Sequence, residues 1–139
     1  MTPQSDPLDL WPDEISSGKV KPPIATLKEQ AAALGRKTQN VVIGEVSHQA
    51  DSHKSTSWAF LLQAPALGDY RFKLFEASYD PAELYPVNIR SEVPLPGRDN
   101  PFVKVENEED LLVVLKEIFS SPKTIKAVQS IRSQSEGLA

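Results

Sequence analysis

The chain has 139 residues, enough for one domain of ordinary size, and its 40% hydrophobic and 24% charged residues with a mean hydropathy of −0.33 allow a real core. Fifteen Lys and Arg against 19 Asp and Glu leave a formal net charge of −4 and a pI near 5.2, which disfavours attraction to a nucleic acid backbone or an anionic membrane surface. The absence of Cys excludes disulfides, Cys-ligated zinc, iron–sulfur clusters and thiol nucleophiles.

Residues 1–23 hold five of the twelve prolines, Pro3, Pro7, Pro12, Pro22 and Pro23, and show no sustained period, so they read as an extended arm. Within it Leu8, Leu10, Trp11 and Ile15 stand among Asp6, Asp9, Asp13 and Glu14. Apolar groups of that size gain by burial, so the arm is expected to dock, either on its own domain or on a partner. No basic, apolar leader begins the chain, and the longest apolar runs, such as Trp58–Leu62 and Leu111–Leu115, are far short of the ~20 residues that span a bilayer, so the expected address is the cytoplasm with no membrane association.

From Ile24 the pattern turns helical. Ile24, Leu27, Ala31 and Leu34 share one face, Pro23 suits the first turn, and Gly35 is expected to end the helix in the left-handed conformation. A β-branched run over Val41–Val46 predicts a first strand and Trp58–Ala64 a second. Pro65 and Gly68 make the next connection a hairpin loop. In the third strand, Tyr70–Ala77, Tyr70, Phe72 and Leu74 alternate with Arg71 and Lys73, and continuing that alternation sets Phe75 on the face opposite Phe72. A turn over 78–84 leads to a fourth strand, Tyr85–Ile89, and the Pro-rich loop 93–101 to a short edge strand at Phe102–Val105.

Asn107 offers an N-cap, and Glu108, Glu109 and Asp110 put negative charge at the positive end of a helix whose stripe is Leu111, Leu112, Val114, Leu115, Ile118 and Phe119. Ser121 and Pro122 restart the chain into a shorter helix marked by Ile125, Val128 and Ile131. The pattern predicts an α+β fold: an N-terminal helix, a four- to five-stranded antiparallel, meander-like sheet, and two C-terminal helices packed on one sheet face. The organisation read from it is an arm over 1–23, a single domain over 24–134 and a frayed tail over 135–139.

Chemistry is harder to find. Glu45, His48, Asp51 and His53 bring both histidines of the chain within five positions of each other. The set reads first as a solvated loop and second as a divalent-metal site with one position left for an activated water, which would make the protein a metal-assisted hydrolase. No GxSxG elbow occurs, and the six glycines never form GxGxxG or GxxxxGK[ST]. Lys116, Lys123, Lys126 and Arg132 concentrate charge on the last two helices, as a wet helix face does, and leave a nucleic-acid accessory role as a third reading. The aromatics Trp58, Phe60, Phe75 and Tyr79 lie in or beside the strands. With helices on one side only, some of them are expected to stand on the open sheet face as anchors, unless Trp11 and its arm fold back over them. The leading reading is an acidic, non-catalytic protein-interaction module, adaptor-, chaperone- or immunity-like, which binds a protein partner or itself and needs no cofactor.

Overall fold

The computed structural model describes residues 8–18, 20–52 and 54–138. Pro22 is extended (φ −78°, ψ 157°) and Pro23 is preset for the first helical turn, so α1 runs Pro23–Lys37. Leu27, Ala31 and Gly35, spaced four apart, form its buried stripe. The helix does not stop at Gly35 as the sequence suggests. Gly35 stays within the helix, where a Cβ would lie 2.9 Å from Asn40 Oδ1, and the left-handed residues are Gln39 and Asn40 (φ 53° and 63°). The Asn40 N–H donates to Gly35 O at 2.8 Å, which closes the end of the helix.

Five strands follow: β1 (Ile43–His48), β2 (Thr56–Ala64), β3 (Tyr70–Tyr79), β4 (Val87–Ser91) and β5 (Phe102–Val105). They pair in sequence order as an antiparallel meander, β1-β2-β3-β4-β5. A 3-10 turn at Pro65–Leu67, with Gly68 and Asp69 at positive φ, makes the predicted β2–β3 hairpin loop. α2 (Glu108–Phe119) begins as expected: Asn107 Oδ1 accepts from the Asp110 N–H at 2.9 Å. α3 (Pro122–Gly137) follows after one turn, in which Thr124 Oγ1 donates to Ile118 O (2.7 Å) and Ser121 Oγ to Pro94 O (3.1 Å). Residues 135–137, expected to fray, continue α3, and Ser135 is buried; Ala139 lies outside the described residues. No described helix is long and apolar enough to cross a membrane.

Face assignment in this sheet turns on a β-bulge in β3. Phe60 pairs with Phe75 and Leu61 with Lys73, so Leu74 is an extra residue and the parity of β3 changes there. Tyr70, Phe72 and Leu74 face the helices before the bulge, and Phe75, Ala77 and Tyr79 face them after it. The expectation that Phe75 opposes Phe72 is therefore corrected. All three helices cover one side. α1 lies closest, because a Cβ on Gly44 would come within 2.6 Å of Ala31 Cα, and only glycine permits that approach.

Candidate functional site

Among the described residues, the polar cluster near the β1–β2 connection does not gather as a metal site. Side chains alternate along β1, so Gly44, Val46 and His48 point toward the helices while Glu45 points away. Glu45 Oε1 instead accepts from Arg71 Nε at 2.6 Å on the open face. His48 Nε2 lies 2.8 Å from Asp51 Oδ1, and its ring sits 4.7 Å from that of Trp58. The Ser57 N–H donates to the same Asp51 oxygen at 3.2 Å. Burial works against the Asp51 charge, yet the bonds from His48 and Ser57 outweigh it and hold the carboxyl below the usual carboxylate range. His48 and Asp51 thus clasp the ends of β1 and β2 together. Among the described residues no three His, Asp or Glu side chains gather to hold a metal; His53 lies outside them.

The aromatic anchors expected on the open sheet face are absent from it. Phe60 and Phe75 are fully buried and stack with centroids 5.3 Å apart, and Phe119 of α2 closes on Phe60 at 5.2 Å. Tyr79 is buried beside the start of α1, where loss of water pushes its phenol up, partly offset by the Ile24 backbone. Trp58 is half-buried on the helix side against His48. The cause is the bulge: it keeps every large aromatic of β3 on the helix-covered side. The open face carries charge instead, in the pairs Glu45–Arg71, Lys73–Glu76 and Arg90–Glu92. Phe102, exposed on the β5 edge, is the exception.

Two other apolar features stand out. The first is the arm, whose described residues 8–18 do not fold back over the domain. From 8 to 18 no residue is buried, and Leu8, Leu10, Trp11 and Ile15 are 60–85% exposed. The stretch still has local order: the Trp11 N–H donates to Asp9 Oδ1 (2.9 Å), and Pro12 leads a 3-10 turn over Asp13–Ser16, closed by Ser16 Oγ donating to Asp13 O (2.7 Å). The second is a cleft of about 390 Å³ between α1 and α3, walled by Ala33, Leu34, Phe119 and Val128 above Leu62. Lys37 is the one charged side chain lining it among the described residues. Beside it, Lys123 Nζ lies 6.0 Å from the ring of Phe72, the cross-strand partner of Leu62. Sequence periodicity missed this cleft because it counts the apolar stripe of each helix and not the gap two helices leave between them.

Compared with models of protein families, with curated proteins and with solved structures, the chain shows no match.

Proposed function

We propose that this is a non-catalytic cytoplasmic protein-interaction module that engages a protein, either another chain or a second copy of itself, through its N-terminal arm. The carrying observation is the contrast within one chain: Phe60, Phe75 and Tyr79 are buried in the core, while Trp11, flanked by Leu10, is 71% exposed. Isolated exposed apolar groups are ordinary, but Leu8, Leu10, Trp11 and Ile15 fall within eight residues, and a Trp with apolar neighbours is the composition of an interface hot spot. Asp9, Asp13 and Glu14 add negative charge between them, which fits a partner surface that is apolar at its centre and basic at its rim. The structured domain then serves to present the arm. Glu45 and His48 project from opposite faces of β1, which weighs against the metal-hydrolase reading.

The test recovers tagged wild-type chain and a Leu10→Ala/Trp11→Ala variant from the producing cells at matched abundance. The reading requires a protein retained in stoichiometric amount by the wild type, as a second copy or another chain, and lost from the variant. Equal retention by both, or none by either, refutes it.

A further inference from the structure

We infer that the seat for the arm is the α1/α3 cleft of a second copy of this chain, so that two molecules exchange arms reciprocally. The inference rests on the interaction-module reading above and names its partner. The two features are complementary in chemistry. The arm offers Leu10 and Trp11 between Asp9 and Asp13, and the cleft offers half-buried Leu34, Phe119 and Val128 beside Lys37, with Lys123 over Phe72 next to it. They also match in scale, since about 390 Å³ is ample for an indole and a neighbouring aliphatic side chain.

The placement of the arm favours a second copy over self-docking. Lys21, at the root of the arm, is held by Glu29 of α1 (2.7 Å) and Glu108 at the start of α2 (3.4 Å). That root stands at the end of the sheet where Tyr79 and the first turn of α1 lie. The cleft opens at the other half of α1, around Ala33 and Lys37, which is 10 to 14 residues along the helix from Pro23, or about 15–21 Å. Residues 8–18 are exposed throughout, so this stretch does not occupy the cleft of its own chain. Reciprocal exchange is isologous, fills both clefts and closes as a dimer.

Because the chain has no Cys, single cysteines report cleanly. Purified Leu10→Cys chain is mixed with Ala33→Cys chain under mild oxidation, with a Leu10→Cys and Lys104→Cys mixture as the open-face control, and the wild type, Trp11→Ala and Lys37→Glu chains are sized by light scattering. Expected are an intermolecular disulfide between positions 10 and 33 that exceeds the control, a wild-type dimer, and dissociation constants raised roughly thirty-fold or more by Trp11→Ala and by a smaller, salt-dependent factor by Lys37→Glu. Helical circular dichroism should be unchanged in each variant, since positions 11 and 37 are exposed. A wild-type monomer, a dimer that survives Trp11→Ala, or a mixture of Leu10→Cys and Ala33→Cys chains that forms no more 10–33 disulfide than the control overturns the inference. If a different protein is nevertheless retained through Trp11, the interaction-module reading stands without it.

Discussion

Gly44→Ala is the sharpest test of the packing that positions α1 and hence one wall of the cleft. The new methyl would lie 2.6 Å from Ala31 Cα, 2.9 Å from Ala31 Cβ and 3.0 Å from Ala31 O, whereas ordinary contacts begin near 3.4 Å. The helix must therefore retreat from β1 by about 0.8 Å, the difference between 2.6 and 3.4 Å. A gap of that size forfeits roughly a quarter to a half of each dispersion contact made by the buried face of α1, which includes Leu27 and Ala31. Overpacking of this kind costs about 1–3 kcal/mol, against a gain of about 0.5–1 kcal/mol from replacing a flexible glycine within a strand. The expected net loss is about 1–2 kcal/mol, or a melting temperature lowered by roughly 4–8 °C for a domain of this size. Urea and thermal unfolding followed by circular dichroism measure both. Ala31→Gly on its own costs about 1 kcal/mol of helix propensity. In the double variant it removes the 2.9 Å methyl contact but leaves the 2.6 Å backbone one, so rescue must be partial. A Gly44→Ala protein as stable as the wild type, or full recovery in the double variant, refutes the close approach of α1 to β1.

Three further outcomes follow from the same structure. Phe75→Ala should cost about 3–5 kcal/mol, because the ring is fully buried between Phe60 and Phe119; a loss under about 1 kcal/mol in urea unfolding would return Phe75 to the surface. Asn107→Ala removes the side chain that caps the Asp110 N–H and should destabilise by about 1 kcal/mol, read as a lower urea midpoint with an unchanged slope. Tyr79 and Tyr85 both have phenols raised by burial, so below about pH 10 both folded and unfolded chains hold them neutral and their contribution is intact. Above that the unfolded chain ionises first, and stability falls as pH rises through the folded-state values. Tyr79→Phe should flatten the decline between pH 10 and 11 in urea midpoints, and an unaltered slope would mean that the Tyr79 hydroxyl is not desolvated.

What the sequence made legible, and what it did not, divides along the range of the interactions involved. The cap at Asn107, the Ser121-Pro122 restart and the edge strand at Phe102–Val105 depend on neighbours a few residues away, and each occurs where the pattern put it. The β3 bulge also had a local signature. Arg71 and Lys73 hold odd positions and Glu76 and Ser78 even ones, so the polar set changes parity across the adjacent Leu74 and Phe75, which an inserted residue explains and strict alternation does not. Gly35 was misread because a helix-ending glycine and a close-packing glycine look the same in sequence; only the position of the Asn40 side chain separates them.

The arm poses a different problem, since whether an amphipathic segment finds a seat depends on the shape of a distant surface. Here that shape follows from two short-range choices, Gly44 drawing α1 onto β1 and the Ser121-Pro122 turn setting α3 apart from it. The bulge supplies the complementary condition. By keeping Phe72, Leu74 and Phe75 together beneath the helices, it leaves the open sheet face mainly to solvent-screened ion pairs such as Glu45–Arg71, with Phe102 at the edge as its one large exposed aromatic among the described residues. On the proposed interaction-module reading, an apolar contact with another protein would therefore fall on the arm and on the cleft between α1 and α3 rather than on the strands.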